Sequence, residues 1–360
     1  MANLKERKIE GIVPDASGSA TLEFGNEKGF LLPKKHKWIM PEAMKGWIAL
    51  IPALIFLIVF MIYPIINAVL MSFINNFYWV GNSNSSFAII NYFAALENAR
   101  SGIEVSWGIS NYLYCLQDPL FLTALENTGI IVIISVPLTI IIALLIATCL
   151  NAIKPLKGLY QTIFFLPYVT NSIALGMVFN VMFSSGSAGL FNTFIGWFGI
   201  QPQSWLSDSA SRWMMFVVIV VYSIWNGLAF KILVFMSGLA TIDKQYYDAA
   251  RIDGATKAMI FRRITIPLLS PQILYITITS FIGACKSYTQ IISLFGGGQT
   301  DFGGVDGTNW ITIVGYIYKY MNSTNEAALG SAAAGSIILL IIVLIITGIQ
   351  FLVSRKRVYY

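Results

Sequence analysis

Six long apolar stretches constrain this chain more than any other feature: Trp47–Phe73, Thr128–Leu150, Gln161–Phe183, Trp213–Ala240, Ile266–Cys285 and Ser331–Leu352. Each has the ~20 or more mostly apolar residues that a helix needs to cross ~30 Å of hydrocarbon. A helix suits that setting because it satisfies its own backbone hydrogen bonds where water is absent. Of the 360 residues, 56% are hydrophobic and only 11% charged, against roughly 25% charged in soluble proteins. Such a chain has too few polar groups to cover a surface in water. The pattern predicts an all-α integral membrane protein with six transmembrane helices. Pro64, Pro137 and Pro167 interrupt the first three stretches and read as kinks that neighbouring helices can accommodate.

Orientation follows from the basic residues. Lys5, Arg7, Lys8, Lys28, Lys34, Lys35, Lys37 and Lys45 precede the first stretch, and Lys154 and Lys157 lie between the second and third. Lys244, Arg251, Lys257, Arg262 and Arg263 lie between the fourth and fifth, and Arg355, Lys356 and Arg357 follow the sixth. That side holds eighteen of twenty-three Lys and Arg, whereas the other holds only Arg100, Arg212, Lys286 and Lys319; Lys231 lies inside a span. Cytoplasmic loops carry the excess of Lys and Arg, so both termini are expected in the cytoplasm of a multi-pass protein of the plasma or inner membrane. Residues 1–46 then form a cytoplasmic tail, 47–352 a transmembrane domain, and 353–360 a second cytoplasmic tail. An external insertion occupies about 81–107, and a cytoplasmic loop about 241–264. No apolar core precedes Trp47, so no cleaved signal peptide is expected.

Several classes of function are disfavoured. The net charge of +6 is dispersed among loops rather than gathered into a nucleic-acid footprint. Cys115, Cys149 and Cys285 lack metal-ligand spacing and His36 is the only histidine, so no metal is expected. The glycine runs Gly296–Gly298 and Gly303-Gly304 lack the lysine and hydroxyl that follow a phosphate-binding loop; they read as turns, and no nucleotide or other cofactor is expected on this chain. The spans hold no clear Asp or Glu and show no internal repeat, which argues against a secondary transporter. An intramembrane enzyme would need an ionisable constellation at membrane depth, and no catalytic residues are assigned.

The most informative segment joins the fourth and fifth stretches. Ile242-Asp243 ends a span, Lys244–Ile252 suits a short helix with Ala249 and Ala250 side by side, and Asp253-Gly254 signals a turn in which glycine supplies positive φ. Helix resumes over Ala255–Ile264, and Pro267 falls in the first turn of the next span. The result is a short helix-turn-helix facing the cytoplasm, with small residues permitting close approach and Tyr246, Tyr247 and Arg251 available as anchors.

Asp248-Ala249-Ala250 followed by Gly254 resembles the EAA loop of permease subunits in binding-protein-dependent ABC importers, specifically the sugar-type family that includes maltose and glycerol-phosphate permeases. Aspartate replaces the family's glutamate, which keeps the charge on a shorter arm. Other matching pieces are Asn111-Tyr112, Asp118-Pro119, Asn127-Thr128 opening the second span, Phe164-Phe165-Leu166-Pro167, Gly189 with Asn192, Trp205-Leu206, and Gly296–Gly298, where Gln299 replaces the usual proline. The likeness runs from about Asn111 to the C terminus plus the first span, and nothing transfers onto the insertion.

The resemblance implies a type I importer bundle. It implies that this chain pairs with a second homologous permease, two cytoplasmic ATPases that bind ATP and Mg, and an extracellular or periplasmic solute-binding protein. Tyr246, Tyr247, Asp248, Ala249, Ala250, Arg251, Asp253 and Gly254 would couple this chain to an ATPase. The cargo it implies is a sugar, an oligosaccharide in the leading reading, with glycerol phosphate or another small solute as the alternative.

Polar groups inside a span are costly and often mark a pathway. Lys231 either pairs with a carboxylate, lines a water-filled path, or sits nearer the interface as a structural lysine. Tyr222, Ser223 and Asn226 share a helix face, with Trp225 adjoining. With Asn171, Ser172, Lys286 and Tyr288, they offer the hydrogen-bond partners and flat aromatic faces that a sugar ring needs; the alternative for each is an interhelical hydrogen bond or an interface aromatic.

Overall fold

The computed structural model describes residues 13–14, 20–21, 41–77, 87–97, 105–153, 157–186, 189–295, 302–304, 306–307, 309–323 and 328–354. The basic residues from Lys5 to Lys37, Lys154, the Gly296–Gly298 run with Gln299, and Arg355, Lys356 and Arg357 lie outside them. So do Arg100 and the parts of the 81–107 insertion other than 87–97 and 105–107.

The chain divides into two units, Met1–Tyr63 and Pro64–Tyr360. In the first, β1 (Val13–Pro14) pairs antiparallel with β2 (Ala20–Thr21), and α1 (Glu42–Leu57) runs into a π-helical turn at Ile58–Ile62. Pro52 lies within α1 without ending it. Trp47, Phe56 and Phe60 are exposed on a helix that is apolar all round, the pattern of a surface solvated by lipid.

The second unit takes in α2 (Tyr63–Ser72) from Pro64 onward. Next, β3 (Ile74–Asn75) pairs antiparallel with β4 (Ser106–Trp107), and between them comes α3 (Ala88–Glu97). Ile74, Phe77, Ala88 and Val105 form a small core here, so the described part of the insertion is folded. α4 (Ser110–Gln117) leads into α5 (Pro119–Ala152), α6 (Lys157–Val169), α7 (Ser172–Met182), α8 (Leu190–Gly196) and α9 (Arg212–Thr241). Then come α10 (Lys244–Ile252), α11 (Lys257–Ile260), a π-helical turn (Phe261–Thr265), α12 (Ile266–Leu268) and α13 (Ser270–Cys285). α14 (Thr289–Phe295), α15 (Ile313–Met321) and α16 (Ala328–Ser354) complete the order.

Among the described residues, four unbroken helices are long and apolar enough to cross a membrane: Ala43–Ser72, Pro119–Ala152, Arg212–Thr241 and Ala328–Ser354. A fifth candidate is a bent pair, Lys257–Leu268 and Ser270–Cys285, with 67° between its halves. Pro267 and Pro271 supply the cause, since each lacks a backbone N–H and its ring crowds the preceding turn. The expected third crossing, Gln161–Phe183, is not one helix but α6 followed by α7. The break comes at Thr170-Asn171, where the Asn171 side chain accepts from the Ile173 N–H at 2.8 Å and starts a new helix. Pro137 sits inside α5 without interrupting it. Among the described residues, the six expected crossings thus appear as four unbroken helices, one bent pair and one divided segment.

The second span also starts earlier than Thr128. Asp118 caps α5, accepting from the Leu120 N–H at 2.9 Å, and Pro119 occupies the first turn, where its missing N–H costs nothing. α9 is central: it packs along α5 and α6, while α13 packs on α5, α14 on α7, and α15 and α4 on α16. Two apolar cores result, one around Ile219, Tyr222, Trp310 and Tyr316, the other around Ala143, Phe235 and Leu269. Large apolar side chains such as Ile133, Ile345 and Leu352 remain exposed. A soluble protein rarely presents apolar surface so continuously, and here it suits lipid.

Candidate functional site

Two features stand out, a protruding turn after α9 and a cleft walled in part by the middle of α9. The turn is built by consecutive caps. Asp243 ends the α9 path and caps α10, its carboxylate accepting from the Gln245 N–H at 2.9 Å. At the other end Gly254 has φ +73°. The Ala255 N–H donates to the Ala250 carbonyl at 2.9 Å and the Gly254 N–H to the Arg251 carbonyl at 3.1 Å. That pair of bonds is a Schellman motif, which satisfies carbonyls orphaned at a helix end. Thr256 then caps α11, its hydroxyl accepting from the Met259 N–H at 3.3 Å.

The eight residues assigned to coupling fall into two faces. Ala250 is buried, and Tyr247, half-buried, has its hydroxyl 3.4 Å from Thr265 Oγ1, which ties α10 to the turn leading into α13. Tyr246, Ala249 and Arg251 are exposed, as are Asp253 and Gly254. Asp248 and Arg251 form an i,i+3 ion pair at 3.3 Å, a surface contact of small worth. Sequence reasoning missed Ile252, which is 87% exposed. Its signal was an isoleucine that a short polar helix had no core to receive. Gln245, Ala249 and Ile252, at i, i+4 and i+7, form an outward face that is small in the middle and apolar at one end.

The cleft has a volume of about 350 Å³, at the lower end of ligand-site sizes. Its wall takes Ser135 and Thr139 from α5, Tyr168 from α6, Ser223, Asn226 and Lys231 from α9, and residues of α13 and α14. Ser223, Asn226 and Lys231 were expected there. Ser135, Thr139, Thr279 and Gln290 were not singled out. The i,i+4 spacing of Ser135 and Thr139 within an apolar span was the available sign.

The other pathway candidates lie elsewhere. Tyr222 is fully buried; its hydroxyl donates to the Ser172 carbonyl at 2.8 Å and accepts from Asn226 at 3.2 Å, so it joins α9 to α7. Asn171 caps α7. Trp225 is exposed, and Lys286 is exposed at the end of α13. Tyr288 packs against Phe302 and Tyr318; burial, then its Tyr318 neighbour, push its phenol up to about 12, so it stays neutral.

The remaining motif residues act as staples. Asn127 donates to the Asn309 and Ile311 carbonyls at 3.0 and 2.9 Å and accepts from Arg212 at 2.6 Å; Arg212 also pairs with Glu126 at 3.1 Å and lies over the Trp310 ring. Asn192 accepts from Trp205 at 2.8 Å and binds backbone at Ser184, Gly186 and Gln203. Asn111 donates to the Ser72 and Ile74 carbonyls. Asp118 accepts from Tyr316 at 2.9 Å and Tyr320 at 2.7 Å. Burial above all, reinforced by that carboxylate, raises both phenols far above their usual range and keeps them donors. The three cysteines are free. No His, Cys, Asp or Glu group able to hold a metal occurs among the described residues.

Residues 135–359 match the family model of the binding-protein-dependent transport system inner membrane component. The chain is 29% identical over 317 residues to the lactose transport system permease protein LacF of Rhizobium radiobacter, covering 87% of this chain and 95% of that one. It is 30% identical over 311 residues to the arabinooligosaccharides transport system permease protein AraP of Bacillus subtilis, covering 84% and 86%. Among solved structures it resembles a chain of a bacterial ABC transporter involved in import of the acidic polysaccharide alginate, with TM-score 0.66 and 20% identity over 87% of this chain and 96% of that one. A chain of the same kind of transporter, in complex with an alginate pentasaccharide-bound periplasmic protein, gives TM-score 0.67 at 20% identity, covering 87% and 94%. The fold is that of type I ABC importer permeases.

Proposed function

The chain belongs to the family of binding-protein-dependent inner membrane transport components, and from that premise we propose that it forms half the pore of an ATP-driven importer for a saccharide delivered by an external binding protein. As a member of that family it is a transport subunit and a multi-pass membrane protein. The finer reading adds a second homologous permease and two cytoplasmic ATPases carrying ATP and Mg. The names of LacF and AraP, a lactose and an arabinooligosaccharide permease, support a saccharide as cargo.

The observation that carries the reading is the α10 knob, with its outward face of Gln245, Ala249 and Ile252 and its glycine-closed end. A small-residue face lets another protein's backbone approach closely, and the capped, hydrogen-bonded turn makes the knob stiff enough to transmit force. Tyr247 meets Thr265 within the first half of the bent pair, so motion imposed on α10 would pass to α13 and from there to the α5–α9 wall. ATP bound elsewhere would thereby bias a two-state pore, as a ligand must when it favours one state over the other.

Co-purification of the tagged protein from its native membrane tests this. A second permease with its own acidic-Ala-Ala…Gly loop and an ATPase with a phosphate-binding loop are expected. Saccharide flux by purified protein that lacks any ATPase and runs on an ion gradient would overturn the reading in favour of a secondary transporter.

A further inference from the structure

Lys231 is the one charged residue on the wall of the cleft. It is 9% exposed, and its Nζ donates to the Gly227 carbonyl at 3.2 Å. Among the described residues no carboxylate lies within ion-pair distance of it, the ion pairs there being Arg212–Glu126 and Arg251–Asp248. An ammonium has three hydrogens to donate and accepts nothing. A charge at this depth costs on the order of 2.5–3.5 kcal/mol to insert and ordinarily finds a partner.

The local structure makes room for that charge. A Cβ at Gly227 would lie 2.7 Å from the Lys231 Nζ and 3.3 Å from the Thr139 methyl, so the bare backbone of Gly227 lets the ammonium fold back beside it. Three of the wall's hydroxyls are spent on their own helices: Ser135 donates to the Ile131 carbonyl at 2.6 Å, Thr139 to the Ser135 carbonyl, and Ser223 to the Ile219 carbonyl at 2.7 Å. Their oxygens can still accept from sugar hydroxyls. The charged group the wall offers to an anion is the ammonium of Lys231, and the Asn226 and Gln290 amides and the Ser280 hydroxyl line the same cleft.

We propose that Lys231 is the anion-selecting group of the translocation path, and that the cargo is a saccharide bearing a carboxylate or a phosphate ester. The inference rests on the import reading above. The cargo's anion replaces the counter-charge that this chain does not supply, through a charge-assisted hydrogen bond stronger than a neutral one.

The test uses the complete importer, with partner permease, ATPases and binding protein, in sealed proteoliposomes. Uptake of trigalacturonate, glucose 6-phosphate and neutral maltotriose is compared for the wild type, Lys231→Met and Lys231→Arg. The wild type should favour an anionic probe, and which one it takes separates carboxylate from phosphate. Lys231→Met should lower the ratio of anionic to neutral uptake about tenfold, the equivalent of ~1.4 kcal/mol, and Lys231→Arg should retain it. Preference for maltotriose in the wild type, or an unchanged ratio in Lys231→Met, overturns the proposal. Equal loss of every probe in Lys231→Met also overturns it and assigns the ammonium to a carboxylate of the second permease. An assembled importer that moves none of the three also overturns the anionic-cargo proposal, whereas a protein that assembles with no ATPase contradicts the import reading itself.

Discussion

Gly254 shows how one residue can fix a turn without touching anything. A Cβ built there meets no atom within 4 Å, yet φ is +73°. The objection to a side chain is therefore conformational, costing ~1–2 kcal/mol for an ordinary residue in the left-handed region, where asparagine is the tolerated exception. Gly254→Ala should weaken cargo-stimulated ATP hydrolysis, Gly254→Val should weaken it further, because β-branched residues are outliers there, and Gly254→Asn should stay close to wild type. Hydrolysis assayed in the reconstituted importer measures this order, and equal activity in all three variants would show that the turn does not couple. Lys231 is the opposite case, a residue defined by what it lacks. Its burial cost is readable from its place in an apolar run, whereas the absence of a carboxylate beside it among the described residues emerges only when α5, α6, α13 and α14 are packed around α9.

Among the elements, α9 and α16 begin and end within three residues of the apolar stretches that announced them, because a long apolar run in a bilayer has few alternatives to helix. The turn after α9 was equally legible, since Asp243, Asp253-Gly254 and Thr256 are local signals that act over two or three residues. The third segment was not. Pro167 drew attention, but α6 continues to Val169 and the break belongs to the Asn171 cap, a polar signal hidden by hydrophobic neighbours. The cleft was half legible: Ser223, Asn226 and Lys231 share one helix, but their counterparts arrive through tertiary packing. That packing can be tested at the contact of α7 with α14. A Cβ at Gly176 would collide with the Ser293 side chain and come within 3.1 Å of its backbone carbon, beside the 2.6 Å bond from Asn180 to the Leu294 carbonyl. Gly176→Ala should lose about 1–3 kcal/mol to overpacking, seen as a lower melting temperature in detergent. Ser293→Gly in the same chain should restore part of it, since contacting sites are not additive. Additive losses would place the strain elsewhere.

For the whole molecule, apolar spans and the α10 knob fit the membrane transport component that the family membership gives. The wide exposed apolar surface belongs to lipid, the staples at Asp118, Asn127 and Asn192 hold the segments between helices, and the capped protrusion after α9 is where the proposed ATPase would deliver force. The account depends on which side of the membrane that protrusion occupies and what it touches there. A single cysteine at Ala249, in a variant whose three native cysteines are replaced by serine, tests both at once in the reconstituted, right-side-out importer. It should resist an impermeant maleimide until the vesicles are permeabilised, and a bifunctional crosslinker should then join it to the ATPase subunit. Labelling from outside sealed vesicles, or crosslinking to the binding protein instead, would contradict the account.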